Sequence, residues 1–404
     1  MSYSQIYIAS SSKYGLRIDW KLGDAICISD RFRDGASTGC RFIWIVFELN
    51  GSLMPSCSGA SETWHRLPAP RIIAVVVTYN RAILLRCCLE ALHAQRRVPD
   101  GIVVIDDASP GTATSVAIAP FPKVCHVRHT TNLGAAAAYC TGIETALGLG
   151  AEFVWLMDDD AHPARNDCLE HLVALAEAGT DIAAPLVLDQ EDSERLAFPI
   201  RWAGRTRFLA AELRNIRHID GFAHLFNGAL VRADVFHAIG LPDPRFVCRG
   251  DEVEFMLRAR RAGIALRIET AAHVLHPSSR PEIHPILFGS FYATVPLAEQ
   301  KRRLQFRNRG YIFRAYGMWH YLVADILRYG CHYLLRRNPD LPGLSRWLAA
   351  TMTGWGGGFM RRPAPAREHV VLTATSSRPA PPALGGQIMA TSVQTRRSRG
   401  QAHG

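Results

Sequence analysis

The sequence predicts an α/β protein: a doubly wound, mixed and mostly parallel sheet flanked by helices, with a helical C-terminal region. The first observation behind this prediction is that short apolar segments alternate with segments of helical periodicity from Arg71 onward, as in parallel α/β sheets. The second is that polar or acidic residues follow three of the apolar segments. Ligands of open α/β sheets bind beyond the carboxyl ends of the strands, so the pattern also predicts a site.

The strands are predicted where short runs are rich in β-branched and other apolar residues, as expected for strands buried on both faces. In chain order these runs read IIAVVV, GIVVIDD, EFVWLMDDD and DIAAPLV. Helices are predicted at 82–95, where leucines recur at helical spacing, in the alanine-rich stretch that Asn132 is expected to cap, and in NDCLEHLVALAEA. The turns after the first three strands then hold residues 78–81, 106–109 and 158–160.

Four segments are expected along the chain. Residues 1–68 do not fit the α/β pattern, and a small β-rich appendage, a poorly ordered extension and upstream sequence before Met54 all remain open for them. The α/β domain is predicted at 69–285, and a helical region that is both basic and aromatic at 286–360. Residues 361–404 lack aromatic side chains and are rich in proline, alanine, serine and arginine, which predicts a disordered tail.

The charge is unevenly distributed. The chain has a formal net charge of +10, yet residues 301–404 alone hold 17 Lys and Arg against 3 Asp and Glu. No helix-turn-helix or zinc-finger spacing accompanies these arginines, so nucleic acid is not a predicted partner. An anionic membrane surface and a merely solvated basic face both remain open as explanations.

A cytoplasmic location is favoured, with peripheral attachment to the inner face of the plasma membrane left open. No apolar run approaches the roughly 18–20 residues that cross a bilayer, and the N-terminal residues lack the basic and apolar regions of a signal peptide. The ten cysteines are scattered without a CxxC pair. Such spacing favours a reducing environment over a disulfide framework or a zinc ribbon.

Three aspartates end the third predicted strand. Carboxylates at a dry strand end are costly unless a cation neutralises them, and Asp158 and Asp160 point the same way on an extended segment. Oxygen ligands suit Mg²⁺ or Mn²⁺, which commonly bind one or two carboxylates together with ligand phosphates. The sequence therefore predicts a site for a metal and a diphosphate; a capping cluster for the helix near Asn166 is the alternative.

A second acidic group, Asp251, Glu252 and Glu254, opens another predicted helix. Acidic residues near a helix start are favourable in themselves, so a capping role is one interpretation. The other is a general base that deprotonates an acceptor hydroxyl. His276 follows an apolar run and is expected to be a third metal ligand, with His273 as its competitor.

Seven motifs together resemble those of family 2 glycosyltransferases of the GT-A fold, over about residues 71–280. They read VVVTYNR, VVIDDAS, NLGAAAAYCTGI, WLMDDDAHP, FNGALV, GDEVEFMLRARRAG and HVLHP. Within the family the chain is most similar to the bacterial galactofuranosyl- and rhamnosyltransferase branch. The segments LQFRNRGYIFRAYG and MTGWGGGF resemble the helical C-terminal part of that branch. Each motif is weak by itself, whereas seven in the right order are specific.

The resemblance assigns roles to individual residues. It implies that Asp158, Asp160 and His276 hold the metal, and that the catalytic base lies in the pair Asp251–Glu252. The residues that it places around the nucleotide are Thr78, Asn80, Arg81, Asp106, Asp107, Asn132, Gly134 and Asp159. In this set Asp107, with Asp106 beside it, matches the family's acidic residue that contacts the pyrimidine base.

Two departures from the family pattern matter. Relatives often have NLGGAGGF where this chain has NLGAAAAY, and alanines at 135–138 narrow the room for a sugar or a backbone. The base motif usually ends in aspartate at the position of Glu252. The base therefore stays open between Glu252, which is favoured by position, and Asp251.

The implied function is an inverting, metal-dependent transfer of galactofuranose or rhamnose in the synthesis of cell-envelope polysaccharide. The donor would be UDP- or dTDP-linked, the acceptor a glycan or a lipid-linked sugar, and the cofactor Mn²⁺ or Mg²⁺. Two alternatives remain. A sugar nucleotidyltransferase would need a glycine-rich loop with a lysine after the first strand, and TYNRAILL has neither. A non-catalytic sugar- or membrane-binding scaffold would have no need of the full set of acids.

Overall fold

The computed structural model describes residues 70–358 except 122 and 336, together with the backbone of four strands outside this range. The chain divides into two compact units, Met1–Leu67 and Pro68–Gly404. The first unit contains an antiparallel sheet in the order β1-β2-β3. Its strands are β1 (Leu16–Leu22), β2 (Ala25–Asp34) and β3 (Ser37–Val46). Whether these residues form a domain of their own stays a prediction.

The second unit alternates strands and helices. Its strands are β4 (Ile72–Thr78), β5 (Gly101–Asp106), β6 (Val124–Arg128), β7 (Phe153–Asp158), β8 (His162–Pro163), β9 (Ile182–Asp189), β10 (Arg195–Trp202), β11 (Arg205–Leu209), β12 (His218–Asp220), β13 (Asn227–Arg232), β14 (Leu266–His276), β15 (Ile283–Ile286), β16 (Phe291–Thr294) and β17 (Thr373–Ala374). Its helices are α1 (Ala82–His93), α2 (Ala113–Ile118), α3 (Ala135–Gly148), α4 (Cys168–Glu177), α5 (Ala233–Ile239), α6 (Asp251–Arg261), α7 (Glu299–Ala315), α8 (Trp319–Leu334) and α9 (Leu341–Trp355). The tail predicted to be disordered, 361–404, lies outside the described residues apart from the backbone of β17.

Twelve of the described strands form one mixed sheet. Its main path runs β11-β10-β9-β13-β7-β4-β5-β6-β17, and β14 pairs in parallel with β9 and antiparallel with β8 and β12. Strand β4 pairs in parallel with β5 and β7, and β5 with β6, whereas β13 runs antiparallel between β7 and β9. The predicted fold class, a doubly wound mixed sheet flanked by helices and followed by a helical C-terminal region, is confirmed.

The core lies on both faces of this sheet because successive side chains of a strand point to opposite sides. In β4, Val75 and Val77 belong to one buried cluster, and Ala74 and Val76 belong to the other. Buried side chains of α3 join the first cluster, and those of α1 and α4 join the second. Helices thus cover both faces, which explains why the central strands are apolar at every position rather than at every second one.

The strand register brings the polar turns to one edge of the sheet. Thr78 at the end of β4 pairs with Asp106 at the end of β5, and Val77 pairs with Asp158 at the end of β7. These strands run in the same direction, so the residues that follow them meet at their common carboxyl end.

Strand β14 brings a distant part of the chain to this edge. Its residue Leu275 lies opposite His162 of β8, directly after the acidic turn that ends β7. His276, the last residue of β14, is therefore held beside that turn by backbone pairing.

Helix α3 begins at Ala135, and Gly134 rather than Asn132 occupies its N-cap position. Gly134 has a φ of 92°, and a Cβ there would lie 2.7 Å from Cγ1 of Val247. The prediction that Asn132 caps the helix is therefore wrong, because the left-handed backbone and the close approach of another loop both require glycine. Asn132 instead donates from its side-chain amide to the carbonyl oxygen of Asp107, at 3.3 Å.

The C-terminal helices α7 and α9 cross closely through two glycines. A Cβ on Gly310 would overlap the carbonyl oxygen of Thr351, and a Cβ on Gly354 would overlap that of Arg307. Aromatic side chains fill the core of this region: Phe306, Tyr329, Tyr333 and Trp347. No helix among the described residues combines the length and the apolarity that crossing a bilayer requires.

Replacing Gly354 by alanine is expected to destabilise the C-terminal helices, because the added methyl group would force α7 and α9 apart. Overpacking typically costs about 1–3 kcal/mol. The control is Gly330→Ala in α8, where a methyl group would meet no atom within 4 Å and the higher helix propensity of alanine stabilises by up to about 1 kcal/mol. Thermal unfolding measures both variants, and equal melting midpoints would contradict the close crossing.

Candidate functional site

Two aspartates and one histidine converge at the carboxyl edge of the sheet. Ligand atoms of Asp158, Asp160 and His276 all lie within 4.8 Å of one another, and the three residues are half-buried. These are the residues predicted to hold a metal. The competing candidate, His273, lies earlier on β14 opposite Leu186 and is not part of the group. Two carboxylates and one imidazole form a donor set that fits a divalent cation with a preference for oxygen.

The backbone sets the tautomer of His276. Its Nδ1 lies 2.6 Å from the carbonyl oxygen of Pro277, to which only a protonated nitrogen can donate. Its Nε2 then faces the acidic turn, 3.4 Å from Oδ1 of Asp160. Metal-binding histidines commonly use one ring nitrogen for the metal and donate from the other to a carbonyl or carboxylate. His276 is therefore oriented as such a ligand.

Arg81 supplies positive charge from the other side of the turn. Its Nη1 lies 3.0 Å from Oδ1 of Asp159 and 2.5 Å from Oδ2 of Asp160. Thr78 donates to the second oxygen of Asp159 at 2.7 Å. The predicted nucleotide residues Thr78, Arg81 and Asp159 thus join the end of β4 to the acidic turn after β7. Their contact with a nucleotide stays a prediction.

Crowding three carboxylates changes their acidity. Burial, together with the charge of Asp160, raises the pKa of Asp158 above its usual value, and burial also raises the pKa of Asp159. Burial acts on Asp160 in the same direction, but the hydrogen bond and charge of His276, with Arg81, outweigh it and lower the pKa of that carboxyl. Burial opposes the charged form of His276, yet the neighbouring acids raise its pKa. These shifts favour the protonated forms of Asp158 and His276, so a cation would bind in competition with protons.

Tyr139 is a member of the site that sequence reasoning missed. Its ring is fully buried and stacks on Phe226 with centroids 3.9 Å apart, and its hydroxyl donates to Oδ1 of Asp158 at 2.7 Å. This hydrogen bond favours the charged carboxylate of Asp158 and sets its orientation. The signal was present in the sequence, since NLGAAAAY ends in tyrosine where the family pattern has phenylalanine.

The two acids after β5 have partners within the protein. Asp107 accepts from the backbone N–H groups of Leu133 and Gly134 at 2.9 and 2.8 Å, and its Oδ1 lies 2.8 Å from Nδ1 of His129. Asp107 therefore fixes the turn that starts α3. Asp106 is completely buried and accepts from the backbone N–H of Ser109 at 2.7 Å.

The loops after β4 and β5 are joined to each other. Asn80 has a φ of 55°, and its backbone N–H donates to Oγ of Ser109 at 2.7 Å. Together with the contacts of Asp106 and Asp107, this bond shows that several residues predicted to bind the nucleotide also hold the loops in which they lie. Whether Asn80, Asp106, Asp107 and Asn132 also touch a ligand stays a prediction.

Helix α6 begins with the predicted catalytic pair. Asp251 is buried, and burial raises its pKa to about 6 although the backbone N–H groups at the helix start oppose the shift. Glu252 is half-buried, and burial together with the charge of Asp251 raises its pKa to about 7, opposed by Arg249 and His276. A carboxylate with a pKa near neutrality suits general base catalysis at neutral pH.

The loop before α6 is held in an unusual conformation. Val247, Arg249 and Gly250 have φ values of 68°, 64° and 102°, which for the first two residues is strained. Asn308 of α7 is fully buried and donates from its side-chain amide to the carbonyl oxygens of Phe246, Cys248 and Arg249, at 3.1, 3.0 and 2.5 Å. Sequence reasoning also missed this residue, although LQFRNRGYIFRAYG was among the matched segments. Asn308 thus connects the C-terminal helices to the loop before Asp251 and Glu252.

Comparisons with known proteins agree on one family. The sequence model of glycosyl transferase family 2 matches residues 73–240. Galactofuranosyltransferase GlfT1 of Mycolicibacterium smegmatis is 38% identical over 298 residues, which is 72% of this chain and 98% of that protein. The dTDP-rhamnosyl transferase RfbF of Shigella flexneri is 25% identical over 213 residues, or 51% of this chain and 68% of that protein.

Solved structures with a similar fold are more distant. The mannosyltransferase PcManGT from Pyrobaculum calidifontis, in complex with GDP-Man and Mn²⁺, is 19% identical with a TM-score of 0.40, and the match covers 70% of this chain and 75% of that one. A likeness at this level supports no inference about function.

Replacing Tyr139 by phenylalanine is expected to weaken metal binding about 10-fold, the lower end for losing a group that orients a ligand. The loss should be larger below neutral pH than above it, because removing the hydroxyl raises the pKa of Asp158 further and protons then compete better. Calorimetric titration with MnCl₂ at two pH values measures this, with Tyr321→Phe as the control, since Tyr321 is exposed on α8. Unchanged affinity at both pH values would show that the Tyr139 hydroxyl has no part in the site.

Proposed function

The chain belongs to glycosyl transferase family 2 and is therefore a glycosyltransferase, and we propose that it is an inverting, metal-dependent galactofuranosyltransferase. The observation that carries the proposal is the juxtaposition of Asp158, Asp160 and His276 with a helix start that presents Glu252. The relatives that are 38% identical are galactofuranosyltransferases and are matched over nearly their whole length. Rhamnose is the second choice of sugar, because the rhamnosyl transferase is the more distant relative.

The reaction joins the anomeric carbon of the donor sugar to an acceptor oxygen. Glu252 accepts the proton of the acceptor hydroxyl, whose oxygen forms the new bond to the anomeric carbon. The bond from that carbon to the diphosphate breaks on the opposite side, so the configuration inverts and the nucleoside diphosphate leaves. When bound at Asp158, Asp160 and His276, Mn²⁺ or Mg²⁺ would neutralise the charge of this diphosphate.

Glu252 suits the role of base better than Asp251 does. Asp251 is only 3% exposed and faces the N–H groups of its own helix start. Glu252 is more accessible, reaches one methylene further and lies within the electrostatic influence of His276. We therefore assign the proton acceptor and the metal site to the same donor.

The proposed donor and acceptor follow from the assignment of the chain as a galactofuranosyltransferase. A UDP-linked sugar is the proposed donor, with a dTDP-linked sugar as the alternative, in a pocket bordered by Thr78, Asn80 and Arg81. The acceptor is a glycan, presented on a lipid carrier at the inner face of the plasma membrane, in the synthesis of cell-envelope polysaccharide.

The proposal is tested by incubating the purified chain with UDP-galactofuranose or dTDP-rhamnose, a lipid-linked glycan acceptor and Mn²⁺. Product should form with UDP-galactofuranose, carry the inverted anomeric configuration and disappear with EDTA. Product from dTDP-rhamnose but not from UDP-galactofuranose would show that the transferred sugar is rhamnose. A product that retains configuration, or full activity in EDTA, would contradict the proposed mechanism.

Replacing Glu252 by glutamine is expected to lower turnover at least about 10²-fold, the usual scale for loss of a general base, with donor affinity nearly unchanged. For the wild type, kcat/KM should rise with pH up to about 7 and then level off, because a base works in its unprotonated form and the pKa of Glu252 is raised to about 7. Asp251→Asn is the matched variant and should stay active, with the rise of its profile shifted to lower pH, because the charge of Asp251 no longer raises the pKa of Glu252. If Asp251→Asn loses activity while Glu252→Gln keeps it, the base is Asp251.

A further inference from the structure

Helix α8 exposes a continuous apolar stripe. Its outer side carries Trp319, Val323, Ile326, Leu327 and Leu334, each with 41–66% of its surface exposed. At 3.6 residues per turn, these five positions fall within one arc of about 100° around the helix. Single exposed apolar residues are ordinary, but a contiguous apolar patch marks an interaction surface.

The opposite side of α8, which packs against the rest of the region, is the more polar one. It carries Asp325, Tyr329 and His332, all of which are buried. Asp325 accepts from Nε and Nη2 of Arg309 at 2.8 and 2.9 Å, and the Tyr329 hydroxyl donates to the carbonyl oxygen of Thr294 at 2.9 Å. A surface helix of a globular protein normally has its apolar side inward and its polar side outward. The outer face of α8 therefore suits a medium less polar than water.

A strained hairpin extends the apolar surface. Strands β15 and β16 are joined through Leu287 and Phe288, whose φ values of 48° and 56° are rare for bulky side chains. This turn leaves the Phe288 side chain completely exposed. Leu287 lines the same cavity of about 240 Å³ as Leu335, the residue that follows α8. The hairpin tip and the end of α8 therefore adjoin.

The segment of the sequence that contains α8 is basic. Residues 301–340 hold nine Lys and Arg against two Asp. Both aspartates are engaged within the protein: Asp325 binds Arg309 and Arg328, and Asp340 accepts from the backbone N–H of Gly343 at 2.8 Å. An apolar stripe in a segment with excess positive charge complements an anionic bilayer, whose headgroups attract basic residues and whose acyl boundary takes up apolar side chains.

We propose that the outer face of α8 and the tip of the β15–β16 hairpin form a membrane-docking surface for anionic phospholipid. Helix α8 lies in the plane of the interface, with its apolar stripe and Phe288 at the boundary between headgroups and acyl chains. This surface adds to the proposed function the place where a lipid-linked acceptor is met. The surface depends on exposed apolar side chains and basic charge and is independent of the chemistry at the acidic turn.

Flotation of the full-length chain with vesicles tests the proposal, in the absence of donor and acceptor. The wild type should float with vesicles that contain phosphatidylglycerol, less so at high salt, and weakly with phosphatidylcholine alone. Leu327→Glu combined with Phe288→Ser should reduce binding at least about 10-fold, because it removes two apolar anchors. The control is Val116→Glu in α2, since Val116 is 67% exposed against 66% for Leu327, and it should bind like the wild type.

Two results would overturn the proposal: no flotation of the wild type with anionic vesicles, or equal flotation of the wild type and the double variant. A wild-type dimer in solution that Leu327→Glu converts to a monomer, without vesicle binding, would assign the surface to a second copy of the chain. Sugar transfer without vesicle binding would remove this surface and leave the proposed function intact. Vesicle binding without sugar transfer would support the docking surface and contradict the proposed function.

Discussion

Three carboxylates in sequence at the end of a buried strand are the constraint on which the structure of the site depends. Such a cluster is stable only where positive charge is supplied, and Arg81 from the turn after β4 and His276 from β14 supply it from two sides. Both elements reach the cluster through backbone pairing, the first by parallel pairing with β7 and the second by pairing with β8. The sheet topology thus brings the charges together before any ligand binds.

The second constraint is the strained loop that precedes Asp251 and Glu252. Its residue Val247 packs against Gly134 at the start of α3. The backbone N–H of Gly134 donates to the carboxylate of Asp107. On the other side of the loop Asn308 of α7 binds three of its carbonyl oxygens. The loop is therefore fixed between the start of α3 and the C-terminal helices. This arrangement gives those helices a part in positioning Glu252 in addition to any contact with a membrane.

Much of the fold and of the metal group could be predicted from the sequence, because buried parallel strands and the acids that follow them leave local patterns. The long-range contacts left no such pattern. The tyrosine at position 139 departs from the family pattern, but that departure does not name Asp158 as its partner, and no local pattern indicates that Asn308 binds the loop before α6. The start of α3 was misplaced because Asn132 is a good cap by composition, whereas the approach of Val247 that requires Gly134 is a tertiary contact. The exposure of the apolar stripe of α8 could not be predicted either, because periodicity alone does not show which face of a helix packs inward.

The central claim, that a divalent cation completes the charge balance of the acidic turn, is tested most directly by titrating Mn²⁺ into the protein and following the free ion by electron paramagnetic resonance. The wild type should bind one Mn²⁺ at this site. Asp160→Asn and His276→Ala should each lose at least about 10-fold in affinity, on the scale at which even supporting residues matter, whereas Asp220→Asn, which changes an exposed acid, should bind normally. Equal Mn²⁺ binding by all four proteins would contradict the claim.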